Sequence, residues 1–152
     1  MSVLIRKMIA EDKEEVLQMM RVFYDSPAVF FKAKDHILEK DIEDCIGDCP
    51  WIDGYIFEEN ESIIGYAMVA MCYATEFGGL CLWLEDLYLK PEFRGLKIGS
   101  NFLHYLEEAY PDAVRIKLEV ETENETAIAT YKKAGYGVSP YFVMTKELDG
   151  QR

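Results

Sequence analysis

The sequence predicts a mixed α/β (α+β) fold: a mostly antiparallel central sheet, one parallel pair in the C-terminal half, and helices on both faces. Three observations predict it. The middle of the chain is a run of β-rich segments joined by short turns, which makes sequential strands antiparallel neighbours. The last third alternates helix and strand patterns, which implies a crossover and a parallel pair. The 152 residues hold no repeat, low-complexity stretch or Pro/Gly/Ser linker, so a single domain is expected over residues 1–152.

Taken in order, residues 3–8 are apolar enough for a first strand. Asp12 and Glu15 have the spacing of a capping box, and Val16, Leu17, Met20, Phe23 and Tyr24 form a helical stripe behind them. Residues 25–34, with Pro27, read as a loop, and a second helix after Asp35 turns Ile37, Leu38, Ile42 and Cys45 inward. A short strand over 54–58, a turn at Asn60-Glu61 and a long strand over 62–73 follow. Gly78-Gly79 breaks the chain before a strand over 80–89 in which Leu, Trp and Tyr surround Glu85 and Asp86. A helix over 98–110 stops at Pro111, and residues 115–121 alternate as a strand. Asn124 caps a helix running to Lys133, Gly135 ends it, and residues 141–148 form a final strand.

Half of the residues are hydrophobic and the net charge is -12. That balance suits a globular chain and argues against a nucleic-acid partner, which needs a basic face, while a cationic substrate would be drawn in. The longest nearly apolar run, residues 63–74, falls short of the roughly 20 residues that span a bilayer, so no membrane partner is expected. Residues 1–10 mix Arg6 and Lys7 with short apolar pieces rather than forming a secretory signal, and a cytoplasmic location with free thiols is the expectation. Cys45 and Cys49 could start a metal site, but no second Cys/His pair follows, and none is expected. His36 and His104 have no partner pattern for a triad.

The stretch from Pro91 to Ser100 lies between a strand and a helix. Free amides at a helix start converge on one point that the helix dipole makes positive, and an anionic pyrophosphate can sit there. Gly95 and Gly99 allow the backbone to turn and approach closely, and Arg94 and Lys97 add donors and charge. The stretch matches neither the mononucleotide loop, for want of a Gly-Lys-Ser/Thr ending, nor the dinucleotide fingerprint, whose glycine spacing differs.

This stretch resembles the cofactor loop of the GNAT family of N-acetyltransferases, Arg/Gln-x-x-Gly-x-Gly/Ala. Arg94, Ile98 and Gly99 match in place, and Lys97 stands where the middle glycine belongs. If that position needs a positive φ, the lysine costs roughly 1–2 kcal/mol but removes no amide donor. The resemblance extends to 84–89 as the strand before the loop, to 124–136 as the second signature helix, and to 62–67. The stretch 83–86, Trp-Leu-Glu-Asp, is closest to the diamine and polyamine (spermidine/spermine) branch.

The resemblance implies an acyl-CoA N-acyltransferase-like fold and acetyl-CoA as co-substrate, with no metal. It implies a cofactor site built from Leu87, Tyr88, Leu89, Arg94, Gly95, Leu96, Lys97, Ile98, Gly99, Ser100, Asn124 and Tyr131. The pantetheine arm would run beside Leu87 and Leu89 as a further strand, with a backbone amide there facing the thioester oxygen. Tyr131 would protonate the leaving thiolate, and Glu85 would take the amine proton, directly or through water. Glu85 and Asp86, adjacent on a strand, should face opposite ways, leaving only one toward the cleft. Tyr24, Asp25 and Glu76, with Glu85, are candidates to line the acceptor cleft. The expected reaction is direct transfer of acetyl to a primary amine of a small cationic molecule such as a polyamine, diamine or amino-acid-like compound. A protein Lys or N-terminal acetyltransferase, or an acyl-CoA-binding sensor without turnover, remains open. The resemblance also suggests a homodimer.

Overall fold

A computed structural model describes residues 2–148. Five strands form one sheet in chain order: β1 (Leu4–Lys7), β2 (Ile52–Glu59), β3 (Ser62–Ala74), β4 (Gly79–Leu89) and β5 (Ala113–Leu118). The first four are antiparallel neighbours, and β4 and β5 run parallel. Among the described residues the helices are α1 (Lys13–Tyr24), α2 (Asp35–Ile46), α3 (Ile98–Ala109) and α4 (Glu125–Lys133). The mixed sheet expected from the sequence therefore forms, and α3 is the crossover that its parallel pair requires.

Alternation along the strands sends two sets of apolar side chains to opposite faces. One set, with Phe57, Ala67, Val69, Leu82 and Leu84, packs on Phe102, Leu103 and Leu106 of α3. The other, with Ile56, Tyr66, Met68 and Tyr88, packs on Val16, Met19 and Met20 of α1 and on Leu38 and Ile42 of α2. Helices thus cover both faces, as the 3.6-residue stripes predict.

The capping box does not form as expected. Asp12 instead accepts two bonds from the Arg6 guanidinium, at 2.8 and 2.9 Å, and one from the Ile9 amide at 2.9 Å, while Glu15 pairs with Lys90 at 2.6 Å. The Arg6 guanidinium and the Ile9 amide together take the carboxylate that would have capped α1. The strand expected over 115–121 ends at Leu118, because β4 turns away from β5 at that level. The final strand expected over 141–148 is absent. Those residues take no sheet partner, and Phe142 and Met144 are 98% and 92% exposed. A β pattern becomes a strand only where a neighbouring edge accepts its hydrogen bonds.

Candidate active site

The site begins with an irregularity in β4. Met68 of β3 pairs with Asp86 and its neighbour Val69 pairs with Leu84, so Glu85 is an extra residue with no partner. A bulge of this kind bends its strand and increases the local twist. The β4–β5 ladder ends one residue earlier, at Leu84–Leu118, and from Glu85 to Leu89 the β5 side of β4 is unpaired.

The bulge also shifts the alternation. Leu82 and Leu84 before it, and Leu87 and Leu89 after it, all lie on the α3 face. The two intervening residues, Glu85 and Asp86, therefore both belong to the α1/α2 face. The expectation that they point opposite ways is corrected, because simple alternation fails across an inserted residue.

Asp86 is 3% exposed. Tyr66 donates a hydrogen bond to it at 2.8 Å and Tyr24 another at 3.0 Å. Burial raises the Asp86 carboxyl to about 6; the two phenols pull it down, while the charges of Asp41 and Glu85 push it up. Burial followed by the Asp86 charge holds Tyr24 well above the usual phenol range. Glu85 is exposed, and its carboxyl is also raised, first by desolvation and then by Glu119 and Asp41. Asp41 of α2 is raised to about 6 by burial and by Asp44. Four carboxylates thus share one field at this end of the opening.

Beyond the bulge lies a cleft of about 930 Å³. Leu87, Tyr88, Leu89 and Arg94 form one wall and Asn124, Thr126, Ala127, Thr130 and Tyr131 of α4 another. Phe23 and the 26–30 segment close a third side. Asn124 caps α4 by accepting from the Ala127 amide at 3.3 Å, so it serves the helix and lines the cleft at once. Tyr131 is half-buried, its ring 6.1 Å from that of Tyr136, and burial raises its phenol above the ordinary value.

The loop from Arg94 to Ser100 stands at one end of this cleft. Arg94 donates from Nε to the Leu89 carbonyl at 2.9 Å and lies over the Tyr88 ring, 5.5 Å from its centre. Lys97 adopts the left-handed conformation, φ 65° and ψ 11°, so the position that resembles the family's glycine does require a positive φ. Gly95 has φ 77°, and a side chain there would meet nothing within 4 Å. At Gly99 a Cβ would meet only Leu87 Cδ2, at 3.7 Å. These glycines are not demanded by contacts inside the protein; they leave the backbone bare toward open space. The first hydrogen bond returned by α3 is Asn101 N to Lys97 O at 2.9 Å, leaving the amides of Ile98, Gly99 and Ser100 without helical partners. Unpaired amides, a helix N-terminus and bare glycines fit a pyrophosphate.

Of the remaining predicted residues, Gly95, Leu96, Lys97, Ile98, Gly99 and Ser100 lie past the cleft wall at the α3 start. Asp25 is an exposed residue that ends α1. Glu76 lies apart from the cleft, on the β3–β4 turn, and accepts a bond from Tyr141 at 3.1 Å. His36 and His104 are exposed. Sequence reading passed over Phe23, Asp41, Tyr66, Thr126 and Thr130. The i, i+4 spacing of Thr126–Thr130 and Ala127–Tyr131 marks one helix face and was the available signal.

The chain matches the profile of the Acetyltransferase (GNAT) family over residues 14–136. The chain belongs to this family. It is an acetyl-CoA-dependent N-acetyltransferase. A thialysine N-epsilon-acetyltransferase from Sus scrofa is 29% identical over 146 residues, covering 88% of this chain and 84% of that protein. A possible acetyltransferase from Clostridium difficile 630 superposes with a TM-score of 0.83 at 18% identity, covering 97% of this chain and 99% of that one. The aminoglycoside acetyltransferase AAC(6')-Iy, in complex with a bisubstrate analogue containing CoA, superposes with a TM-score of 0.79 at 13% identity, covering 98% and 100%. As GNAT-fold neighbours these share the architecture described above. Among the described residues no helix is long and apolar enough to cross a membrane, and no cluster of three or more His, Cys, Asp or Glu is placed to hold a metal ion.

Proposed function

We propose that this protein acetylates a primary amine of a small cationic molecule by direct attack on acetyl-CoA. The observation that carries the reading is the bulge at Glu85. It opens β4 from β5 on the side facing Tyr131, and it brings two adjacent carboxylates to the opposite end from the Arg94 loop.

Each part of the chemistry then has a residue. The amides that open α3 and the Arg94 side chain hold the anionic phosphates, and Lys97 adds only a nearby positive charge. The unpaired edge of β4 near Leu87 and Leu89 offers amides to the pantetheine arm, which would lie as a further strand, and to the oxygen of the acetyl carbonyl. Asn124 contributes from the facing helix. Glu85 accepts the proton that an ammonium must lose before its nitrogen can attack; its raised pKa makes it a stronger base than an ordinary carboxylate. Tyr131, held neutral by burial, donates its proton to the departing thiolate. Tyr24, fixed by Asp86, presents its ring and hydroxyl on the acceptor side.

A cationic acceptor follows from the field of Glu85, Asp86, Asp41 and Glu119 and from the net charge of -12. The relative acting on thialysine, itself an amine, is in keeping with this. The test is release of free thiol from acetyl-CoA with a panel of amines. Di- and polyamines and lysine-like amines should turn over fastest, with rates falling as salt screens the cleft. A preference for acidic acceptors, or for peptide amines over every free amine, would overturn the reading.

The working form is proposed to be a homodimer in a reducing, cytoplasmic setting. Support comes from the outer edge of β5, unpartnered among the described residues, and from the exposed Val138, Phe142 and Met144 beyond α4. A second copy's residues could complete the sheet there. Sedimentation at micromolar concentration should give the dimer mass; a monomer would remove this part of the proposal. A reducing setting would keep all four cysteines as free thiols.

A further inference from the structure

Two of those thiols face each other. In the antiparallel ladder of β3 and β4, Cys72 lies directly opposite Cys81. The next pair inward, Met71 opposite Leu82, belongs to the α3 face, so both cysteines point to the other face. Cys72 is exposed, whereas Cys81 is 1% exposed and donates its thiol to the Leu82 carbonyl at 3.7 Å. Opposite residues of an antiparallel pair have Cα atoms about 4.5–5.5 Å apart, inside the roughly 4.4–6.8 Å window of disulfides. The pair therefore needs a rotamer change rather than a backbone movement to close. Arg115, beside Cys81 in the ladder, and Lys117 bring two positive charges that favour its thiolate.

We propose that Cys72 and Cys81 are a reversible dithiol site, which a small disulfide oxidant such as oxidised glutathione converts into a cross-strand disulfide. The Cys72 thiolate attacks one sulfur of the oxidant and a glutathione thiolate leaves, giving a mixed disulfide on the exposed position. The Cys81 thiolate then attacks the Cys72 sulfur and releases the second glutathione. Two protons and two electrons pass from the protein to the oxidant, and one disulfide replaces another. Exposure sets the order, since Cys81 is reached only through Cys72. Burial and the Cys72 sulfur raise the Cys81 thiol, so the closing step quickens as pH rises. Of the four thiols only Cys81 stands directly opposite Cys72 in the ladder. Cys45 packs against Gly54 from α2, and burial with Asp41 and Asp86 nearby pushes it up to about 12. Cys49 lies between α2 and β2, two residues before Trp51, whose carbonyl accepts the Met71 amide at 2.9 Å, so it comes to β3 from the β2 side, whereas Cys81 faces Cys72 from β4. Closure would staple that hairpin four residues before Glu85.

The experiment exposes the reduced full chain to graded ratios of oxidised to reduced glutathione and maps the products by peptide mass spectrometry. The wild type should lose the mass of two hydrogens in one Cys72–Cys81 linkage that dithiothreitol reverses. Cys81→Ser should instead accumulate glutathione on Cys72, and Cys72→Ser should leave Cys81 unmodified. A mixed disulfide that persists on Cys72 in the wild type, modification of Cys81 in Cys72→Ser, or pairing of Cys72 with Cys45 or Cys49 would each overturn the assignment. The wild-type map decides alone if either variant fails to fold.

Discussion

From Gly79 to Leu84, β4 lies between β3 and β5; from Glu85 to Leu89 it has β3 alone. Both halves are rich in leucine and aromatic residues, and composition does not tell them apart. In the paired half Leu82 is fully buried and Leu84 is 5% exposed, both against the core under α3. In the open half Leu87 and Leu89 have the same facing but are only half-buried, because the strand that would have covered them has diverged. One inserted residue separates a paired scaffold from an open edge. The difference teaches that an apolar side chain beside a missing strand is left open to a cleft, whereas the same side chain beside a present one is part of the packed fold.

The largest expected effect tests the open half. Tyr131→Phe keeps the ring and deletes one donor facing Leu87 and Leu89. Turnover should fall by roughly 10²–10⁴, in kcat more than in KM, while thermal stability and acetyl-CoA affinity stay near wild type. Steady-state kinetics on the best acceptor check this. Nearly full kcat would make Tyr131 a packing residue and leave the thiolate to water.

A substitution in each half sharpens the contrast. Leu82→Ala should cost about 2–5 kcal/mol in denaturant unfolding, as deletions in close-packed cores do. Leu87→Ala, half-exposed already, should cost clearly less, and should instead raise the KM for acetyl-CoA. Equal stability losses at the two positions would mean that the open edge is filled from within the chain.

The third effect concerns pH. An aspartate in an unfolded chain titrates near ~3.9, whereas Asp86 in the fold does so at about 6. Between these values the folded state holds the proton more tightly. The contribution of this group therefore favours folding below ~4 and is lost as pH rises through about 6. Asp41 acts in the same sense and window. Asp12 opposes them: burial works against its charge, but the bonds from Arg6 and the Ile9 amide prevail and lower it, so its contribution is lost as pH falls. Melting temperatures from pH 4 to 7 should show that Asp86→Asn removes part of the decline with rising pH. A profile identical to wild type would show that the phenols of Tyr24 and Tyr66 neutralise the shift.

The smallest effect is at Lys97. Its left-handed backbone costs roughly 1–2 kcal/mol for a non-glycine residue, part of which Lys97→Gly would return against the greater freedom of glycine when unfolded. A stability gain below about 1 kcal/mol is expected, with acetyl-CoA affinity little changed. An affinity loss above about 2 kcal/mol, measured by titration calorimetry, would make Lys97 a principal phosphate contact, since charge-assisted bonds contribute roughly 1.5–3 kcal/mol.

What the sequence determined by itself was local. Apolar periodicity marked α1, α2 and α3, and Asn124 and Gly135 marked the ends of α4, because caps and stripes depend on neighbours a few residues away. The short turn at Asn60-Glu61 and the break at Gly78 fixed antiparallel hairpins, and both sites show the positive φ that such turns use. The glycine loop before α3 was readable for the same reason. Tertiary structure alone decided the rest. Whether Asp12 caps a helix or binds Arg6 depends on a strand brought alongside it. Whether 141–148 pairs depends on an edge elsewhere in the chain. Above all, the bulge that turns Glu85 and Asp86 to one face arises from the register between β3 and β4. Register is a property of two strands together, set by side chains packing across both faces of the sheet, and no single segment contains it.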